Sequence, residues 1–154
     1  MKTVKKYRKP GVYEVVVSFD HAGVEKEWVG ILRAEEKGEY ELRVTAEHTA
    51  TSTRGRMVVR AVVSGGAHLK LSGIIKIHKD AQGTDNFLEL RVLLLDDQSR
   101  ATADPQLEIE ANEVKAGHAA SVSRIDAEQA LYLMSRGLSK AAAEEEIIEG
   151  WLQI

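Results

Sequence analysis

The 154-residue chain has five histidines, 24 Asp and Glu residues and no cysteine to do chemistry with. Without a thiol it can form no disulfide, no cysteine nucleophile and no all-cysteine metal or cluster site. A neutral imidazole can still give a nitrogen lone pair to a metal, provided an acceptor holds its other nitrogen. His118 closes an extended stretch just ahead of a change to helical patterning. His48 and His78 end strand-like segments, and His21 and His68 fall in turn-like ones. Isolated histidines in such places are usually solvated or locally hydrogen-bonded. The acidic side chains Asp96, Asp97, Asp104, Glu108, Glu110 and Glu113 crowd one region. A glycosidase-like pair would need two of them within about 5–10 Å of each other. Glu108 and Glu110 share one strand face, which is also how a sheet face stays soluble. No phosphate-binding glycine loop or Gly-x-Ser-x-Gly elbow is present, and Gly65-Gly66 reads as a turn.

The elements that would carry these groups are mostly strands. Tyr13, Val15, Val17 and Phe19 alternate with Glu14, Val16 and Ser18, the period-two pattern of a strand with one buried face. Further strands are predicted over Trp28–Leu32, Tyr40–Ala46, Met57–Val63, Leu69–Ile77, Phe87–Leu95 and Leu107–Val114, divided by Gly-, Asp- and Ser-rich turns. The first few, taken alone, fit an antiparallel meander. However, Ala46–Ala50, His78–Gly83 and Ala111–Gly117 each finish a strand with a small-residue corner, at intervals of about 33 residues. Stacked rungs of a solenoid would repeat in this way, and a sandwich also repeats strands at irregular intervals. After Ser123 the pattern turns helical. Asp126 can cap a helix, with Gln129 as capping-box partner, and Gly137 ends it. Ser139 can cap a second helix that carries Ile147, Ile148, Trp151 and Leu152. Those four are too many large apolar groups for a two-helix appendage to hide alone, so they must meet the β core or a partner.

Composition excludes several classes. A net charge of −3 is too mild to argue for nucleic acid, and the run Lys2, Lys5, Lys6, Arg8, Lys9 reads as a solvated tail. No apolar run approaches the ~18 residues of a membrane span, and the basic N-terminus lacks the apolar stretch of a secretory signal. The expectation is one cytoplasmic domain.

The stretch Pro105-x-Leu107-Glu108-Ile109-x-Ala111-x-x-Val114-x-x-x-His118 and the run RIDAEQALYLMSRGLSKAAAEEEIIEGWL from Arg124 to Leu152 resemble the C-terminal core of the SufB/SufD family, scaffold proteins of the Suf iron–sulfur cluster assembly machine. The likeness extends upstream through GTDNFLELRVLLLDDQSRATADP and more loosely to His48. It implies a mainly β fold, a right-handed parallel β-helix over residues 1–125 with a helical hairpin over 126–154 in the same unit. It also implies a non-enzymatic subunit that pairs with itself or a homologue and docks a SufC-like ABC ATPase through Tyr132, Arg136, Ile147, Ile148, Trp151 and Leu152. Leu131, Met134 and Leu138 are expected to face inward. His118 would then be the one candidate ligand for iron or for a transient iron–sulfur cluster at a subunit interface, with nothing tightly bound. Ala116, Gly117 and Ala119 stand where family motifs carry cysteine, glutamate or glycine beside that histidine. Two other readings compete: an interaction module that has lost cluster chemistry, and a β-solenoid acting on carbohydrate.

Overall fold

A computed structural model describes residues 1–153; Ile154, the last residue assigned to the hairpin, lies outside the described residues. Nine strands precede two helices: β1 (Lys2–Tyr7), β2 (Gly11–Phe19), β3 (Glu25–Ala34), β4 (Glu39–His48), β5 (Arg54–Val63), β6 (His68–Ile77), β7 (Asp85–Leu94), β8 (Arg100–Ile109), β9 (Lys115–Arg124), α1 (Ala127–Ser135) and α2 (Lys140–Leu152). Consecutive strands do not pair. Odd-numbered strands form one five-stranded sheet, ordered β1-β3-β5-β7-β9, and even-numbered strands a four-stranded sheet, ordered β2-β4-β6-β8. Every pairing is parallel. The chain is therefore a two-sheeted parallel solenoid, and the meander that the first strands alone allowed does not occur. The register links Glu25 to Arg54, Arg54 to Asp85 and Asp85 to Lys115. One turn thus takes roughly 30 residues, a little less than the spacing of the corners suggested.

Those corners do stack. His78 donates its backbone N–H to the His48 carbonyl at 3.0 Å, Ser52 to Gln82 at 2.8 Å and Gly83 to Glu113 at 2.6 Å. Alternate side chains from both sheets point inward and form the main core, including Trp28, Leu32, Leu42, Met57, Leu71, Ile75, Leu88 and Leu90. A period-two pattern positions these residues because successive Cβ atoms leave opposite faces of a strand.

Two strands depart from the sequence pattern. The basic tail is β1, aligned on β3 with Lys2 opposite Glu27. Tyr7 packs on Tyr13 with ring centroids 4.8 Å apart, and Lys2 reaches Glu27 at 3.4 Å. Lysines that alternate with Val4 and Tyr7 can thus line an edge strand through their aliphatic stems. The segment expected as one strand over Leu107–Val114 instead ends β8 at Ile109, turns a corner and continues as β9. β9 reads KAGHAASVSR, residues of weak strand preference, and takes its conformation from the β7 ladder.

The helices begin where the caps predict. The Asp126 carboxylate accepts from the backbone N–H of Glu128 and Gln129, and Ser139 Oγ from that of Ala142. Gly137, at φ 101°, supplies the left-handed residue that ends α1. Their faces are turned differently from expectation. Ile148 and Leu152 are buried against Val62 and Leu93 on the outer face of the five-stranded sheet, with Ile147 and Trp151 packed beside them. Leu131, Tyr132 and Met134 are exposed, and α1 buries no residue. The reason is connectivity: α1 leaves the end of β9 and projects, while α2 returns across the sheet. Among the described residues no helix is long and apolar enough to cross a membrane.

Candidate functional site

The last turn of the solenoid, β8 and β9, carries Asp104, Glu108 and His118 of the residues that sequence reasoning singled out. His118 is in register with the core residue Leu88, so its imidazole lies on the inward side of β9, at the open end of the stack. It is exposed there. Each of the other four histidines has a partner. His21 Nδ1 meets Asp20 at 2.8 Å, His68 Nδ1 meets Glu39 at 3.0 Å and His78 Nε2 meets Glu47 at 3.0 Å. His118 alone has none among the described residues.

The fifth, His48, sits at 0% exposure in the interior, stacked 4.0 Å from the Phe19 ring. Its Nδ1 is 2.7 Å from Thr53 Oγ1, which is 3.1 Å from Thr84 Oγ1, which donates to the Ala81 carbonyl at 2.9 Å. Its Nε2 faces Asn86 Nδ2 at 2.6 Å. The Ala81 carbonyl only accepts, so the chain of hydroxyls runs toward it and Nδ1–H gives to Thr53, with Asn86 beside Nε2. Burial disfavours the charged ring and pushes its pKa down to about 4. Gly55 makes the space, because a Cβ there would lie 2.6 Å from Asn86 Nδ2 and 2.8 Å from the Phe19 ring. His48 is a structural histidine and not a ligand.

The backbone at the last turn is as informative as the side chains. Lys115 and Ile125 both donate toward β7, at 2.8 and 2.9 Å. Parallel strands alternate the side to which successive residues bond, so Ala116, His118, Ala120 and Val122 turn N–H and C=O to the free edge. On β8, Arg100 and Glu110 donate toward β6, which leaves Ala103, Pro105 and Leu107 facing outward. Pro105 therefore removes a donor from the free edge of β8, the usual place for proline in a sheet. The edge of β9 has no such block. Leu107, Ile109 and Val122 stay 38–42% exposed around it.

Of the acidic residues, Asp96 Oδ1 accepts from Gln98 and Ser99 N–H and its Oδ2 from Gly65 N–H, Asp97 pairs with Arg124 at 2.7 Å, and Glu110 falls beyond the end of β8, off the strand that carries Glu108. Among the described residues no group of three His, Cys, Asp or Glu side chains could hold a metal ion. His118 thus offers one nitrogen on an open strand edge, with no acceptor on its second nitrogen.

Residues 9–151 match the family model described as SUF system FeS cluster assembly, SufBD core domain. The chain belongs to the SufBD family. An iron–sulfur cluster assembly SufBD family protein of Mycobacterium bovis is 34% identical over 143 residues, covering 88% of this chain and 36% of that protein. The iron–sulfur cluster assembly protein SufD of Bacillus subtilis is 40% identical over 105 residues, covering 68% of this chain and 24% of that protein. The chain spans about a third or less of the length of these curated SufBD relatives. Of the residues expected to dock a partner, Tyr132 and Arg136 are exposed on α1, with the Arg136 guanidinium 5.4 Å over the Tyr132 ring. Ile147, Ile148, Trp151 and Leu152 seat α2 on the sheet. Sequence reasoning missed Glu89, which faces outward on β7 with a side chain only 8% exposed, because nothing in a strand pattern tells which outward positions neighbours will cover.

Proposed function

We propose that the chain serves iron–sulfur cluster assembly as a non-enzymatic solenoid subunit. It pairs through the free edge of β9, with itself or with a second SufBD-family chain, and binds a SufC-like ABC ATPase through its helical hairpin. The match of residues 9–151 to the SufBD core carries this reading. The unblocked edge of β9, ringed by Leu107, Ile109 and Val122, supports pairing there, because an unpaired strand edge beside exposed apolar groups favours strand addition. The exposed Leu131, Tyr132 and Met134 on α1 support partner docking, since a helix with no buried face of its own gains by covering one.

An iron–sulfur cluster is cargo in this scheme. His118 supplies one ligand, and the paired chain supplies the rest, as a chain without cysteine requires. Mixing the protein with the SufC-like ATPase of its own organism tests the docking: Tyr132→Ala with Leu131→Asp, or truncation after Asp126, weakens the complex at least about tenfold. Unchanged binding in both removes the hairpin as the docking element.

The lack of cysteine and of any three-ligand group among the described residues favours one second reading, an interaction module that no longer handles a cluster. Anaerobic reconstitution with iron and sulfide separates the two. A visible-absorbing cluster on the paired complex that His118→Ala loses supports assembly. No cluster with any SufBD partner supports the module.

A further inference from the structure

α2 is seated outside the main core, on a small separate cluster with Val62 and Leu93. Charge holds it at two further points. Arg33 of β3, 14% exposed, reaches Glu145 with two bonds of 2.9 Å and lies 3.5 Å from Glu149, while Glu35, just past the end of β3, braces it. On β5 the Arg60 guanidinium lies 5.7 Å over the Trp151 ring and 3.0 Å from Glu89. Glu89 is also approached by Arg91 at 2.7 Å and Arg56 at 3.6 Å.

A carboxylate buried among three guanidiniums adds little to stability, because desolvation offsets most of the attraction. Such an arrangement is better suited to fixing a position. The seat is also incompletely satisfied: Arg60 Nε and Trp151 Nε1 are buried without hydrogen-bond partners. A helix of 13 residues is marginal in water once its tertiary contacts are gone.

We propose that the hairpin is a releasable strap, closed by two clasps: the ion pairs of Arg33 with Glu145 and Glu149, and the cation–π contact of Arg60 with Trp151, in which Glu89 holds Arg60 in place. With both clasps open, α2 leaves the sheet as a unit while the solenoid stays folded, and an apolar strip of Ile31, Val62 and Leu93 is uncovered. Glu89 is the register neighbour of Ala119, next to His118, so one clasp lies a single strand from the free edge of β9. The inference rests on the proposed docking only for its trigger: a partner that grips α1 would pull the strap.

Hydrogen exchange on the protein alone tests it. In Glu89→Gln combined with Arg33→Ala, and in the natural chain at about 1 M NaCl, where the screening length falls to ~3 Å, amides of residues 142–152 exchange about tenfold faster or more while β6 keeps its protection. Glu89→Gln nearly preserves shape, and if the pair folds poorly the natural chain in salt, where both clasps are weakened together, decides. Unchanged protection of 142–152 in the variants and in salt overturns the strap, as does loss that β6 shares. Because no ATPase is present, the strap can fail while docking holds, and docking can fail while the strap holds.

Discussion

One interior column of the solenoid begins with Phe19 in the first turn, runs through His48 and Ile77, and ends with Ile109 in the last. Phe19 is fully buried, and Ile109 is 41% exposed. The two ends of the stack differ in the same sense throughout. At the first turn, Lys26 reaches from one sheet to the Ser18 carbonyl of the other, with its amine 5.6 Å over the Phe19 ring, and Tyr7 leans on Tyr13. At the last turn, Ala103, Pro105 and Leu107 face Ala116, His118 and Ala120, and among the described residues no side-chain hydrogen bond joins β8 to β9. Long amphipathic side chains thus close the first turn from within, whereas small ones leave the last turn open. A histidine with no partner belongs to the second kind of end.

The comparison can be broken at matched positions. The largest effect is expected along the shared column: Phe19→Ala costs about 3–5 kcal/mol, since it removes a buried ring from His48, whereas Ile109→Ala in the isolated chain costs about 1 kcal/mol. Chemical denaturation measures both, and equal losses would mean that the ends are packed alike. Next, Ala120→Pro removes a free-edge donor of β9 without touching its bonds to β7 and weakens association at least about 100-fold, about 2.7 kcal/mol, by analytical ultracentrifugation. Val16→Pro, on the outer strand β2 of the first turn, leaves association unchanged.

A third prediction concerns pH. His48 titrates near 6.5 when unfolded and about 4 when folded, so below pH 6.5 the unfolded chain takes up the proton first. Stability therefore falls as pH drops from 6.5 to 4, by about 3 kcal/mol, and is level in this respect above 6.5. His48→Leu should flatten that part of the curve, and an unaltered slope would show that other groups set it. The smallest effect is at the hairpin: Asp126→Ala costs about 1 kcal/mol or less, read as faster exchange in α1 with no change at either end of the solenoid.

Much of this was legible in the sequence wherever one rule acted alone. The strands with alternating Val, Leu and Ile were found within a few residues, because burial on one face forces that period. Asp126 and Ser139 marked the helix starts because capping is a local contact. β1 and β9 were not legible as strands, since Lys, Ala, Gly and Ser take that form only when a neighbouring ladder supplies the hydrogen bonds. The split of the hairpin faces was misjudged for a similar reason: Ile148 and Leu152 are as apolar as Leu131 and Met134, and only the direction of the return over Val62 and Leu93 decides which pair is covered. His118 could be chosen from sequence, but its isolation depended on seeing the other four histidines find partners.

The most direct test of the β9 edge is amide exchange of the chain in its associated state, with itself or with a SufBD-family partner from the same organism. Slowed exchange at Ala116, His118, Ala120 and Val122, with Val12, Glu14 and Val16 unaffected, is the expected result. Protection that appears along β2 and leaves β9 exchanging as in the free chain would contradict it.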